Sequence, residues 1–190
     1  RNVFQLKKKR LHPFIIPKLM ANAASSQLSI IYGVRGPSFT VSTACSSSNH
    51  AMGQAFKLIQ TGQLTAALTG GSESMICFGG LKAWESLRVM TRTKCRPFSK
   101  GRDGMSQGEG AAIFVFEEYE NAVGRGADIL AEVIGFSMTS DAVDIIRPNK
   151  DGAKRAMITA LKDAKLNSSE IDYINAHGTG TVLNDKIESL

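Results

Sequence analysis

The run Ala111-Ala112-Ile113-Phe114-Val115-Phe116 constrains the fold more than any other stretch of the chain. Six apolar residues without polar alternation read as a strand covered on both faces, which requires helices above and below the sheet. The chain supplies them. Residues 152–166 carry Ala153, Ala156, Met157, Ala160, Leu161 and Ala164 at i, i+3, i+4, i+7, i+8 and i+11, an amphipathic helix broken by Asn167-Ser168-Ser169-Glu170. Residues 46–59 read as another, with Ala51, Ala55, Leu58 and Ile59 on one face and Gly62 as its stop. Two more are expected over 18–31, closed by Gly33 and Gly36-Pro37, and over 117–126. Residues 39–44, 64–68 (ending in a Gly70-Gly71 turn), 129–136 and 171–176 are strand-like. Strands alternating with helices predict an α/β fold on a mostly parallel sheet.

Composition narrows the function classes. The net charge is +6, and Lys7, Lys8, Lys9 and Arg10 concentrate it near the start. Such a run attracts polyanions, or is simply a solvated face. It has no interleaved aromatics and belongs to no nucleic-acid motif, so no nucleic-acid partner is expected. The three cysteines, Cys45, Cys77 and Cys95, contain no C-x-x-C and give neither a disulfide framework nor a zinc site, so no metal is expected. A reducing, cytoplasmic setting fits, and no apolar stretch is long enough for membrane insertion. Arg1 is not an initiator Met, which leaves the true start open upstream.

Two segments carry chemistry. Thr43-Ala44-Cys45-Ser46-Ser47-Ser48 falls at an expected strand-to-helix junction, where free N–H groups and the helix dipole favour thiolate and can stabilise an oxyanion. The competing reading is a small buried, inert cysteine, and Cys77 and Cys95 are read that way. His177 opens His177-Gly178-Thr179-Gly180-Thr181 after an expected buried strand, the place where α/β proteins put catalysts and ligands. His12, before Pro13, and His50, inside a helix, read as structural.

These segments together resemble the β-ketoacyl-ACP synthases, the condensing enzymes of fatty acid and polyketide synthesis. The resemblance rests on Gly36-Pro37-Ser38, the Cys45 motif, Gly70-Gly71-Ser72-Glu73, Arg96-Pro97-Phe98-Ser99, Arg102-Asp103-Gly104-Met105, Gly108-Glu109-Gly110 and Asn175-Ala176-His177-Gly178-Thr179-Gly180-Thr181. It implies a thiolase-like fold layered α-β-α-β-α and incomplete at both ends, with residues 1–128 in the N-terminal half and 129–190 opening the C-terminal half. It also implies a homodimer. Cys45 would take an acyl chain from acyl carrier protein, and His177 would assist decarboxylation of malonyl-ACP. Thr179 and Thr181 would hold the phosphopantetheine arm, and Glu188 would pair with an active-site lysine. Lys9, Arg10 and Arg88 would dock the carrier protein, and Ile15 would reach the partner's acyl pocket. No cofactor is implied. The active-site lysine and a second histidine fall beyond Leu190, so the 190 residues alone are not expected to condense.

Elongation in fatty acid synthesis is the leading expectation, with a polyketide or nodulation-factor ketosynthase as its alternative. Asp144 and Ile146, where housekeeping members often carry His and a hydroxyl residue, tilt toward the specialised synthases, as does the Thr-Gly-Thr after His177. A non-catalytic ketosynthase partner is disfavoured by the presence of Cys45. A Cys-His thioester hydrolase would need a geometry that the spacing does not force.

Overall fold

The computed structural model describes residues 7 and 9–190, so Lys8 of the basic run lies outside the described residues. The chain divides between Ser47 and Ser48 into two compact units, each described by itself.

In the first unit the expected single helix over 18–31 is two: α1 (Ile15–Leu19) and α2 (Ala23–Tyr32). Met20 is extended at the break. Asn22 precedes α2, where its carbonyl accepts the Ser25 hydroxyl and its Nδ2 donates to Ser26 Oγ, bonds that tie it to the first turn of the new helix. Gly33 ends α2 in the left-handed conformation, donating its N–H to Ser29 O. Residues 39–44, expected as a strand, join no ladder; an isolated bridge between Thr43 and Cys45 is the sole pairing there among the described residues.

Helix α3 (Ser47–Gln60) follows, and the second unit continues with β1 (Ala66–Glu73), α4 (Phe78–Ser86), β2 (Gly110–Glu117), α5 (Tyr119–Gly124), α6 (Lys150–Ala164), a 3-10 turn over Ser168–Glu170 and α7 (Val182–Glu188). Strands β1 and β2 pair antiparallel, from Ala66 opposite Glu117 to Glu73 opposite Gly110. The expected mostly parallel sheet is therefore replaced, among the described residues, by one antiparallel pair. Nor does β1 stop at Gly70-Gly71. Gly70 has φ 151°, and a Cβ there would run into Ala112 O, so the glycine admits the neighbouring backbone instead of turning the chain.

The apolar run in β2 is not covered on both faces: Ile113, Phe114 and Val115 are all exposed. Residues 129–136 and 171–176 join no ladder among the described residues, since no described strand pairs with them. Helix α3 is joined to Phe136 and to α6 by side-chain contacts. The Phe136 ring fills the space over Gly53, where any Cβ would collide with it, and stands edge-on to the His50 ring with centroids 6.3 Å apart. Lys57 Nζ donates to both Asp163 oxygens at 2.8 and 2.9 Å, and Asp163 Oδ2 also accepts the Phe136 N–H at 2.9 Å. These bonds tie α3 to α6. Helix α6 matches its expected span to within two residues; Asn149 caps it by accepting from the N–H groups of Asp151 and Gly152, though Met157 of the apolar face is exposed.

Candidate active site

Cys45 stands on a tight turn built by its neighbours. Ala44 takes the left-handed conformation at φ 53°, which is uncommon for a residue with a Cβ. The turn is held from both sides. Ser46 donates its N–H and its hydroxyl to Thr43 O at 3.3 and 2.8 Å, and Ser47 donates the same two groups to Ala44 O at 3.1 and 2.7 Å. Thr43 N–H in turn donates to Ser47 Oγ at 2.8 Å. Every partner lies within four residues, and α3 begins at Ser47. The result is a free, exposed thiol two residues ahead of a 14-residue helix. Cys45 is therefore exposed, not buried as the competing reading expected.

The His177 loop, in the second unit, is held differently. Glu188 Oε1 accepts the His177 N–H at 2.7 Å and Oε2 accepts the Gly178 N–H at 2.8 Å, while Asn184 Nδ2 donates to Oε2 at 2.9 Å. Among the described residues no lysine pairs with Glu188; its carboxylate anchors the backbone that presents His177, whose side chain is exposed. Asp185, only 1% exposed, accepts the Gly180 N–H through Oδ1 at 3.1 Å and the Phe98 N–H through Oδ2 at 2.7 Å. Arg102 Nε lies 3.4 Å from Asp185 Oδ2, and its guanidinium also donates to the carbonyls of Ser99, Thr181 and Val182.

Gly180 shows why the loop needs glycine. Its φ is 75°, and a Cβ would meet Gly104 O at 2.7 Å and Cys95 Sγ at 2.9 Å. Gly104 N–H closes the contact by donating to Gly180 O at 3.0 Å. Cys95, half-buried, donates its thiol proton to Thr179 O at 3.2 Å. The Thr179 and Thr181 hydroxyls sit 2.8 Å apart and bond to each other.

The structure thus brings His177, Thr179, Thr181 and Glu188 together. It adds Asp185, Arg102 and Cys95, which sequence reasoning missed as site residues. The Arg96–Ser99 and Arg102–Met105 motifs stood in the sequence, but nothing in their spacing showed that they brace the His177 loop. Lys9, Arg10 and Arg88 are exposed, and Ile15 is the half-buried first residue of α1. Cys77, expected to be buried and away from any strand-to-helix junction, is exposed; it follows β1 and caps α4, its sulfur accepting the Gly80 N–H at 3.4 Å. His12 is exposed, with Nδ1 accepting the Phe14 N–H. Among the described residues no cluster of His, Cys, Asp or Glu could hold a metal, and no helix is long and apolar enough to cross a membrane.

The family follows from comparison with known proteins. The model of the β-ketoacyl synthase N-terminal domain matches residues 2–122, and that of the C-terminal domain matches residues 130–190. The chain belongs to the β-ketoacyl synthase family. It is 47% identical over 180 residues to Nodulation protein E of Rhizobium leguminosarum bv. trifolii, covering 95% of this chain and 45% of that protein. It is 40% identical over 184 residues to 3-oxoacyl-[acyl-carrier-protein] synthase 2 of Staphylococcus aureus, covering 93% and 46%. Among solved structures it matches a type II PKS acyl-carrier protein in complex with its ketosynthase at TM-score 0.89 and 30% identity, over 96% of this chain and 48% of that one. It also matches a β-ketoacyl synthase from Burkholderia phymatum at TM-score 0.85 and 37% identity, over 88% and 42%. The chain spans about half the length of these relatives. The expected thiolase-like α/β fold is the one these structures share.

Proposed function

We propose that these residues serve β-ketoacyl-ACP synthesis: the Cys45 thiolate attacks an acyl-ACP thioester, and the carrier's thiol leaves with the proton. Malonyl-ACP then loses carbon dioxide, and the resulting enolate attacks the acyl-Cys45 carbonyl. The sulfur of Cys45 is expelled and β-ketoacyl-ACP forms. His177 assists the decarboxylation and stabilises the enolate, while Thr179 and Thr181 bind the phosphopantetheine arm. The observation that carries this reading is the exposed Cys45 thiol on a hydrogen-bonded turn at the entry to α3. That is the setting a nucleophile for thioesters needs.

Glu188 orients the His177 backbone through both oxygens and, in the reading drawn from the resemblance, pairs with a lysine. Lys9, Arg10 and Arg88 dock the carrier protein, and their exposure supports that role. Ile15 contributes to the acyl pocket of a partner copy in a cytoplasmic homodimer. The halves divide near 128/129, a reading supported by the extents of the two family models. Fatty acid elongation is the leading pathway. A nodulation-factor or polyketide pathway is the second reading, favoured by 47% identity to Nodulation protein E against 40% to the Staphylococcus synthase.

The test supplies acyl-ACP and radiolabelled malonyl-ACP to the protein that carries these residues and to its Cys45→Ala and His177→Ala variants. Labelled carbon dioxide release and β-ketoacyl-ACP formation are expected from the parent, with condensation lost in Cys45→Ala and both products lost in His177→Ala. Acyl-ACP hydrolysis to free acid without any malonyl requirement would instead establish a Cys-His hydrolase.

A further inference from the structure

The loop from His177 to Val182 is held along two edges by two different parts of the chain. Its N–H groups go to α7, where Glu188 takes those of His177 and Gly178 and Asp185 takes that of Gly180. Its carbonyls go to the segment 95–104, and four in succession find donors there. The Cys95 thiol donates to Thr179 O at 3.2 Å and Gly104 N–H to Gly180 O at 3.0 Å. The Arg102 guanidinium donates to Thr181 O at 3.4 Å and to Val182 O at 3.1 Å. The series starts at Thr179, past the histidine.

Thr179 stands between Gly178 and Gly180, at φ 54° and 75°, and glycine on both sides lets the peptide planes around it rotate at little cost. Its carbonyl is the group that stops that rotation. Among the described residues the Cys95 thiol is the one donor to it. The sulfur also lies against Gly180, 2.9 Å from where a Cβ would be, and so fills the space under the turn. The pose of Thr179 then passes to Thr181. Their hydroxyls bond at 2.8 Å, and Thr181 N–H donates to Thr179 Oγ1 at 3.3 Å. The His177 N–H owes nothing to the thiol, since it donates to Glu188 Oε1.

We propose that Cys95 is a positioning residue for the substrate that carries the pantetheine arm. Its thiol fixes Thr179, and through it Thr181, in the pose that receives the arm, while His177 is set separately by Glu188. The inference rests on the reading that Thr179 and Thr181 bind that arm. It divides the loop into a binding part and a chemical part with separate anchors. Loss of the thiol then weakens the grip on the arm equally in the ground and transition states, which raises KM and spares kcat. A cysteine that only filled space would act on the whole loop, histidine included.

The experiment measures condensation by the whole protein at saturating acyl-ACP. The varied substrate is malonyl-ACP or, in parallel, the malonyl thioester of ethanethiol, which has no arm. Cys95→Ala should raise KM for malonyl-ACP on the order of fivefold, as for one lost hydrogen bond, with kcat changed by less than about twofold. Cys95→Ser, whose hydroxyl donates to the same carbonyl, should recover most of that rise. On the ethanethiol ester the loss in kcat/KM should stay under about twofold. In a Thr179→Val/Thr181→Val background, which raises KM by itself, Cys95→Ala should add nothing further. A Cys95→Ala variant with the parent's KM, or with equal losses on both malonyl esters, overturns the positioning role and leaves the function standing. So does a Cys95→Ser variant no better than Cys95→Ala. If Thr179→Val/Thr181→Val keeps the parent's KM for malonyl-ACP, the arm-binding reading falls and the inference falls with it.

Discussion

The turn that presents Cys45 and the loop that presents His177 solve the same problem by opposite means. Around Cys45 every hydrogen-bond partner lies within four residues, so Thr43, Ser46 and Ser47 write the conformation into one short word of sequence. Around His177 the backbone is held by Glu188 and Asp185 from α7, and Asp185 also takes the Phe98 N–H, 87 residues away in sequence. A locally encoded turn survives changes elsewhere, whereas a loop held at a distance fails when any distant anchor is lost.

The largest effect that would sharpen this contrast is expected from Asp185→Ala. It strands the Gly180 and Phe98 N–H groups and leaves Arg102 without its carboxylate, a loss of about 3 kcal/mol in unfolding free energy. Thermal unfolding checks it. A variant as stable as the parent would mean that the loop does not depend on its buried anchor. Glu188→Gln comes next: the amide keeps one acceptor oxygen and sets an NH2 donor against the other backbone N–H, so one of the two bonds is lost, at about 1.5 kcal/mol. Its signature is local, with faster hydrogen exchange at the His177 and Gly178 amides and no change at Ser46 and Ser47.

A third prediction concerns the helix that follows the Cys45 turn. The hydrogen bonds from Lys57, and then the Phe136 N–H, hold the Asp163 carboxyl below the usual aspartate range. A depressed folded-state value means that this contribution is fully present above the unfolded value, about 3.9, and is lost as pH falls through the lower folded one. Parent and Asp163→Asn should therefore differ in stability near neutrality and converge below about pH 4. A gap that persists into stronger acid would show that the link from α3 to α6 is not ionic. The smallest effect belongs to the turn itself. Ala44→Gly relieves the left-handed alanine but loosens the unfolded chain, for a net gain of about 0.5 kcal/mol. A clear loss of stability would mean that Ala44 packs in a way its exposure does not suggest.

The same contrast explains how far the sequence could be read. The helices α3 and α6 and the Cys45 and His177 segments were legible because their determinants are periodic or local. The break at Met20 was not, since the run from Lys18 to Ile31 contains no glycine or proline to mark it. Gly70-Gly71 looked like a turn because glycine signals both turns and close approach, and only the Ala112 carbonyl beside Gly70 distinguishes them. Residues 129–136 and 171–176 have strand composition, but a strand exists only when another lies beside it, and none does among the described residues. Asp185, Arg102 and Cys95 were not read as bracing the His177 loop because each has a partner that chain order keeps some 80 residues away. The exposure of Cys77 escaped for the same reason: its place at the start of α4 depends on Glu109, whose carboxylate takes the Ile76 N–H from across 33 residues.

The central claim is that Cys45 is the acyl acceptor. Peptide-resolved mass spectrometry after incubation with an acyl-ACP tests it most directly, because it reads the modified residue without requiring a full condensation. The account predicts one acyl group, on Cys45, with Cys77 and Cys95 unmodified. An acyl group on the exposed Cys77 with Cys45 left free would contradict it.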